Sequence, residues 1–181
     1  MGPADSVLVA RVVLDDDRHA FAEIVRRHQA MVRSLARKLA CGDRATADDV
    51  AQETFFRAYR GIHTFDGRAK LSTWLCAIAY RAFLSEAERA TRALPVPDAG
   101  GAVTPEASNE GTRAALRRDL ERALGGLRPP ERDAIALAFG QGLTHEEAAR
   151  ILGCPLGTLK TNVARGLEKL ERGLAAWKED A

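Results

Sequence analysis

The chain has 181 residues, 46% of them hydrophobic and 29% charged, with 27 basic against 25 acidic side chains and a formal net charge of +2. That length holds one or two small domains, and so even a charge balance provides no strong overall field, which leaves nucleic-acid binding to local patches. No apolar run approaches a membrane span, the N-terminus lacks a signal-peptide core, and Cys41, Cys76 and Cys154 are too scattered for a disulfide framework or a zinc site. A cytoplasmic protein without membrane insertion, metal or other cofactor is expected.

After a polar lead, Asp15, Asp16 and Asp17 place carboxylates where a helix begins, and the helix dipole favours them there. Phe21, Ile24, Val25, His28, Val32, Leu35, Ala36 and Leu39 then recur at helical offsets. They predict one long amphipathic helix that ends at Cys41-Gly42-Asp43. His28 lies on its apolar face, as a partly buried structural histidine would.

Thr46 to Asp49 reads as the cap of a second helix, AQETFFRAYRGI, with Val50, Ala51, Thr54, Phe55, Ala58 and Tyr59 able to face the first. Asp49, Gln52, Glu53, Phe56 and Arg60 share another face, polar but with an aromatic in its middle. A merely solvated face rarely carries a phenylalanine there. An aromatic rimmed by carboxylates suits a protein-docking surface.

Gly61 to Lys70 reads as a loop, and helix resumes from Leu71 to about Arg89. Leu71, Trp74, Leu75, Ile78 and Ala82 take one side of it. Thr73, Arg81 and Ser85, with His63, Arg68 and Lys70 from the loop, make the other side rich in donors and cations. Aromatics beside cations suit unstacked bases as well as phosphates, although Trp74 and Phe83 can equally be core.

From Thr91 to Thr112 the composition turns to Pro, Gly, Ala and acids without apolar period, which predicts a flexible linker. It divides the charge into 14 basic and 12 acidic residues before it, 1 and 3 across it counted from 91, and 12 and 10 after it. Ala114 to Leu127 and Pro129 to Phe139 then supply two helices, with Leu116, Leu120, Leu124, Leu127, Ile135, Leu137 and Phe139 available to a second core.

The last third carries the most specific pattern, THEEAARILGCPLGTLKTNVARGLEKL at 144 to 170. Thr144 and Glu147 have capping-box spacing, Gly153-Cys154-Pro155 makes a tight turn, and a longer helix starts near Leu156. Ala148, Ala149, Ile151 and Leu152 form an inner face whose small residues allow a close helix crossing. Leu159, Val163, Leu167 and Leu170 continue the apolar stripe. Thr158, Lys160, Thr161, Asn162 and Arg165 remain outward as donors to phosphates and base edges, the layout of a helix-turn-helix. A helical hairpin with a solvated polar face is the alternative.

Taken together, these segments resemble the extracytoplasmic-function group of sigma factors in the sigma-70 family. DDVAQETFFRAY at 48 to 59 is similar to the segment of region two that docks on the polymerase clamp helices. LSTWLCAIAYRAFLSEAER at 71 to 89 is similar to the segment that melts and reads the downstream promoter element, with Glu86 and Glu88 standing in a usually basic stretch. LRPPERDAIALAFGQGLTHEEAARILGCPLGTLKTNVARGLEKL at 127 to 170 is similar to the region-four helix-turn-helix.

The resemblance implies an all-α chain of two small helical domains, region two at 15–90 and region four at 113–177, joined by a flexible linker at 91–112. It implies that Asp48, Asp49, Gln52, Glu53 and Phe56 contact polymerase. His63, Arg68, Lys70, Thr73, Trp74 and Arg81 would handle the downstream promoter strand, and Thr158, Lys160, Thr161, Asn162 and Arg165 the upstream duplex. The partners it implies are core RNA polymerase, through the beta-prime clamp and beta flap, promoter DNA, and an anti-sigma factor. A simple helix-turn-helix regulator would leave the Phe56 face and the Trp74 helix without purpose. A sigma-like decoy that captures an anti-sigma factor is the other rival. An enzyme has no Ser-His-Asp order, Gly-rich phosphate loop or paired acid site to rest on.

Overall fold

The computed structural model describes residues 4–93, 112–139 and 141–174, and among these every regular element is a helix. In chain order they are α1 (Asp5–Asp15), α2 (Arg18–Leu39), α3 (Arg44–Gly61), a 3-10 turn (Ile62–Thr64), α4 (Leu71–Ala93), α5 (Thr112–Gly125), α6 (Pro129–Ala138), α7 (His145–Leu152) and α8 (Leu156–Gly173). Helices α2, α3 and α4 pack on one another as the first bundle, and α6 packs against α7 and α8 in the second.

The stretch before Asp15, expected to be a polar lead, is the helix α1. Its Leu8, Val9 and Val12 are buried against the first bundle, while Val7, Val13 and Leu14 stay exposed. Asp5 anchors it by accepting from Arg27 at 3.2 Å and meeting His28 Nε2 at 2.8 Å, so His28 has the structural setting its position suggested. The chain turns through Asp16 at φ 47°, and Asp17 caps α2 by accepting from the amides of His19 and Ala20.

The start of α3 also differs from expectation. Asp43, three residues before Thr46, is the cap and accepts from the amides of Ala45 and Thr46. Thr46 gives its hydroxyl proton to Asp43 at 2.6 Å, so the acid outcompetes it for the orphan amides. Helix α4 continues to Ala93, past Arg89 and into the first residues assigned to the linker, and α5 begins at Thr112. The remainder of the expected linker, 94–111, and the tip at 175–177 lie outside the described residues.

In the second bundle Leu124, Leu127, Ile135, Leu137, Leu159, Val163 and Leu170 are buried as expected. Leu116, Phe139 and Leu167 are instead about 40% exposed. Phe139 ends α6 in an extended conformation, which swings it out of the helical stripe. The close crossing of α6 over α8 occurs at Gly166, where an added Cβ would lie 2.5 Å from Ile135 Cδ1.

Glu131 ties these two helices together. Fully buried, it accepts from the Arg128 backbone amide at 3.2 Å, from the Arg128 guanidinium at 2.6 Å and from Lys169 Nζ of α8 at 2.7 Å. The Arg128 and Lys169 hydrogen bonds hold its carboxyl down at about 2. A folded-state value below the ordinary one near 4.5 means that this contribution is present above about pH 4.5 and is lost as pH falls towards 2. Glu131→Gln is therefore expected to flatten the drop in thermal midpoint between pH 5 and pH 2.5, about the window set by these values. An unchanged pH profile would remove Glu131 as its source.

Candidate polymerase and promoter interfaces

On α3 the predicted docking residues come together on the exposed side of the helix. Asp48, Asp49 and Gln52 are exposed, Glu53 is half-buried, and Phe56 is 56% exposed, a high value for a phenylalanine. Opposite them, Val50, Ala51, Thr54 and Ala58 are buried and fix the orientation of that face. Arg60 lies over the Phe56 ring at 5.6 Å, and Arg57 pairs with Glu53 at 2.7 Å. Asp49, Gln52, Glu53 and Phe56 line a groove of about 470 Å³ together with Glu86 and Arg89 of α4. Asp48 stands outside it. Glu86, on the helix expected to melt DNA, also lines this groove because α4 packs on α3, a consequence that its spacing within α4 does not display.

The predicted downstream set is more dispersed. His63, Arg68, Lys70 and Arg81 are exposed cations or donors around the loop and the outer side of α4. Trp74 is half-buried and stacks at a tilt on Phe65, centroids 5.6 Å apart, with its ring edge near Gly61. Thr73 does not share this open surface. It is buried and donates its hydroxyl proton to Glu147 Oε1 of α7 at 3.0 Å.

The helix-turn-helix has the local chemistry predicted for it. Thr144 accepts from the Glu147 amide at 3.2 Å while Glu147 accepts from the Thr144 amide at 2.8 Å. The Thr144 amide and then the Thr73 hydroxyl hold the Glu147 carboxyl below its usual range. Gly153 takes the left-handed conformation at φ 65° that ends α7, a conformation that carries little steric cost for glycine. On α8, Leu159, Val163, Gly166 and Leu170 face inward. Thr158, Thr161 and Arg165 are exposed and Asn162 is half-exposed; their offsets of three, four and seven make one outward stripe. Lys160 is exposed but falls on the flank of the helix, away from that stripe.

The comparisons with known proteins show the family. Residues 24–93 match the family model for sigma-70 region 2, and residues 117–170 match that for sigma-70 region 4. The chain is 33% identical over 180 residues to the ECF RNA polymerase sigma-E factors of Salmonella typhimurium and of Escherichia coli K12, covering 92% of each chain. The chain belongs to the extracytoplasmic-function sigma factors.

To the sigma factor SigE of Mycolicibacterium smegmatis this sigma factor is 35% identical over 163 residues, spanning 84% of its own length and 61% of the relative's. Among solved structures it is similar to CnrH in complex with the cytosolic domain of CnrY, with TM-score 0.69 and 26% identity over 96% of this chain and 99% of that one. It is also similar to the sigma factor RpoE of Bartonella quintana, solved with the anti-sigma factor NepR. That likeness has TM-score 0.68 and 25% identity, over 86% of this chain and 96% of the other. Among the described residues, no helix is long and apolar enough to cross a membrane.

Proposed function

We propose that this alternative sigma factor docks on core RNA polymerase through the Phe56 groove, with Asp48, Asp49, Gln52 and Glu53 around it. The single observation that carries the reading is Phe56, an exposed aromatic at the centre of a polar rim on a rigid helix. His63, Arg68, Lys70, Trp74 and Arg81, with Thr73 once it is uncovered, handle the downstream strand. Thr158, Thr161, Asn162 and Arg165 read the upstream duplex, and Lys160 meets a phosphate beside it. The working units are region two at 15–90, with α1 packed on it, and region four at 113–177. Polymerase supplies the catalysis; this chain contributes binding alone, and joining two weak DNA contacts makes the second effectively intramolecular. An anti-sigma factor, the kind of partner with which RpoE of Bartonella quintana was solved, holds it inactive in the cytoplasm.

The test is run-off transcription with purified core polymerase on a promoter library, with and without the chain. Start-site-specific transcripts that require the chain are expected. Arg165→Ala should lose roughly 1 to 3 kcal/mol of discrimination at one upstream base pair, whereas Lys160→Ala should weaken all promoters alike. Retained binding to core polymerase without transcripts would favour the decoy.

A further inference from the structure

The Phe56 groove has two walls. Helix α3 supplies Asp49, Gln52, Glu53 and Phe56, and α4 supplies Glu86 and Arg89. Arg57 braces them, pairing with Glu53 at 2.7 Å on its own helix and donating to Ser85 Oγ of α4 at 3.4 Å. The Glu86 side chain, next to that brace, is 28% exposed and accepts one hydrogen bond, 2.7 Å long, from the more exposed Arg89. Arg81, the cation of α4 expected at the downstream strand, lies five residues earlier and so about 140° around the helix. The strand side and the groove side of α4 are therefore different faces.

We propose that Glu86 is a second anchor of the polymerase-docking surface, and that Arg89 holds its place in the free chain until an arginine of polymerase displaces it. The inference rests on the assignment of the Phe56 groove to polymerase made above. Three of the six groove residues are carboxylates and one is a cation, so the groove favours a positively charged occupant and repels a phosphate backbone. Arginine fits it by shape as well as charge: its planar guanidinium stacks on an aromatic face and meets a carboxylate through paired donors. The free chain makes both kinds of contact with its own side chains, Arg60 lying over the Phe56 ring at 5.6 Å and Arg89 meeting Glu86. An exposed ion pair between neighbours on one helix contributes little, so giving up Arg89 costs little. The pair that replaces it is enclosed by the interface, where it is screened less and discriminates against partners that lack the cation.

The test titrates the labelled full chain with core polymerase at low and high salt. Glu86→Gln keeps the shape of the side chain and removes its charge; it is expected to weaken binding about tenfold at low salt and less at high salt. Arg89→Gln should tighten binding about threefold, and should change nothing in the Glu86→Gln background, because it acts only through that carboxylate. Both side chains lie outside the buried core, so circular dichroism and the thermal midpoint should match those of the unaltered chain. Unchanged polymerase affinity in Glu86→Gln overturns the anchor, and a gain in its affinity for a single-stranded oligonucleotide would return Glu86 to the DNA side. Weaker binding by Arg89→Gln in both backgrounds overturns the place-holder and makes Arg89 a contact itself. Phe56→Ala separates this inference from the one beneath it. If that variant too binds like the unaltered chain, the groove is not the docking surface and both readings fall; if it binds weakly while Glu86→Gln does not, the second anchor alone fails.

Discussion

Phe56→Ala is expected to weaken binding to core polymerase by about thirtyfold or more and to abolish promoter-specific transcripts at limiting concentration. An aromatic at the centre of a protein interface typically contributes 2 kcal/mol or more on truncation, because its partner pocket loses both contact area and the exclusion of water. The ring is 56% exposed in the free chain, so its removal takes little from the folded core. The thermal midpoint should therefore move no more than an ordinary surface change, within about 0.5 kcal/mol of stability. Titrating labelled chain with core polymerase reads the affinity directly. Wild-type affinity in the Phe56→Ala chain would remove the groove from the docking surface, whereas loss of affinity accompanied by loss of fold would say nothing special about Phe56. The Arg60 guanidinium stacked on the ring makes Arg60→Ala a smaller companion effect.

Leu75→Ala is expected to be strongly destabilising. Leu75 is fully buried where α4 packs against α2 and α3, and truncating a leucine in such a place costs about 2 to 5 kcal/mol through lost transfer energy and the cavity left behind. For a chain of this size, about 3 kcal/mol corresponds to a fall in thermal midpoint of roughly 10 °C. Because α4 supports both Trp74 and the Glu86 edge of the groove, strand handling and polymerase binding should fail together on warming. Differential scanning calorimetry measures the shift, and a midpoint within 2 °C or so of wild type would contradict the packing described for α4.

What could be read from residues alone was whatever short-range chemistry determines. The Thr144–Glu147 box, the left-handed Gly153 and the buried stripe of α8 each depend on side chains within a turn or two of one another. Helix α1 was hidden because its valines are weak helix formers and its inward stripe is only Leu8, Val9 and Val12; the cover of α2 stabilises it more than its own propensity does. The cap of α3 falls at Asp43, three residues before the expected Thr46, because its carboxylate reaches the amides of Ala45 and Thr46. Thr73 was placed on an open face because its partner, Glu147, lies 74 residues further along and reaches it only through the packing of α7 on α4. Glu86 comes to the Phe56 groove for the same reason: helical spacing orders residues around one helix but says nothing of which neighbouring helix comes alongside.

The way α1 is attached bears on how this protein can be cut. The region-two family match starts at residue 24, inside α2, yet three side chains from α1 complete the bundle and Asp5 grips Arg27 and His28 beyond that point. A fragment begun at the match boundary would strip the cap and first turns from α2 and bare an apolar strip along it. Such a fragment would come out sticky and half-molten, and its weak binding could be mistaken for a property of the interface. Beginning the fragment at Ala4 keeps α1 and the cap of α2 on the bundle.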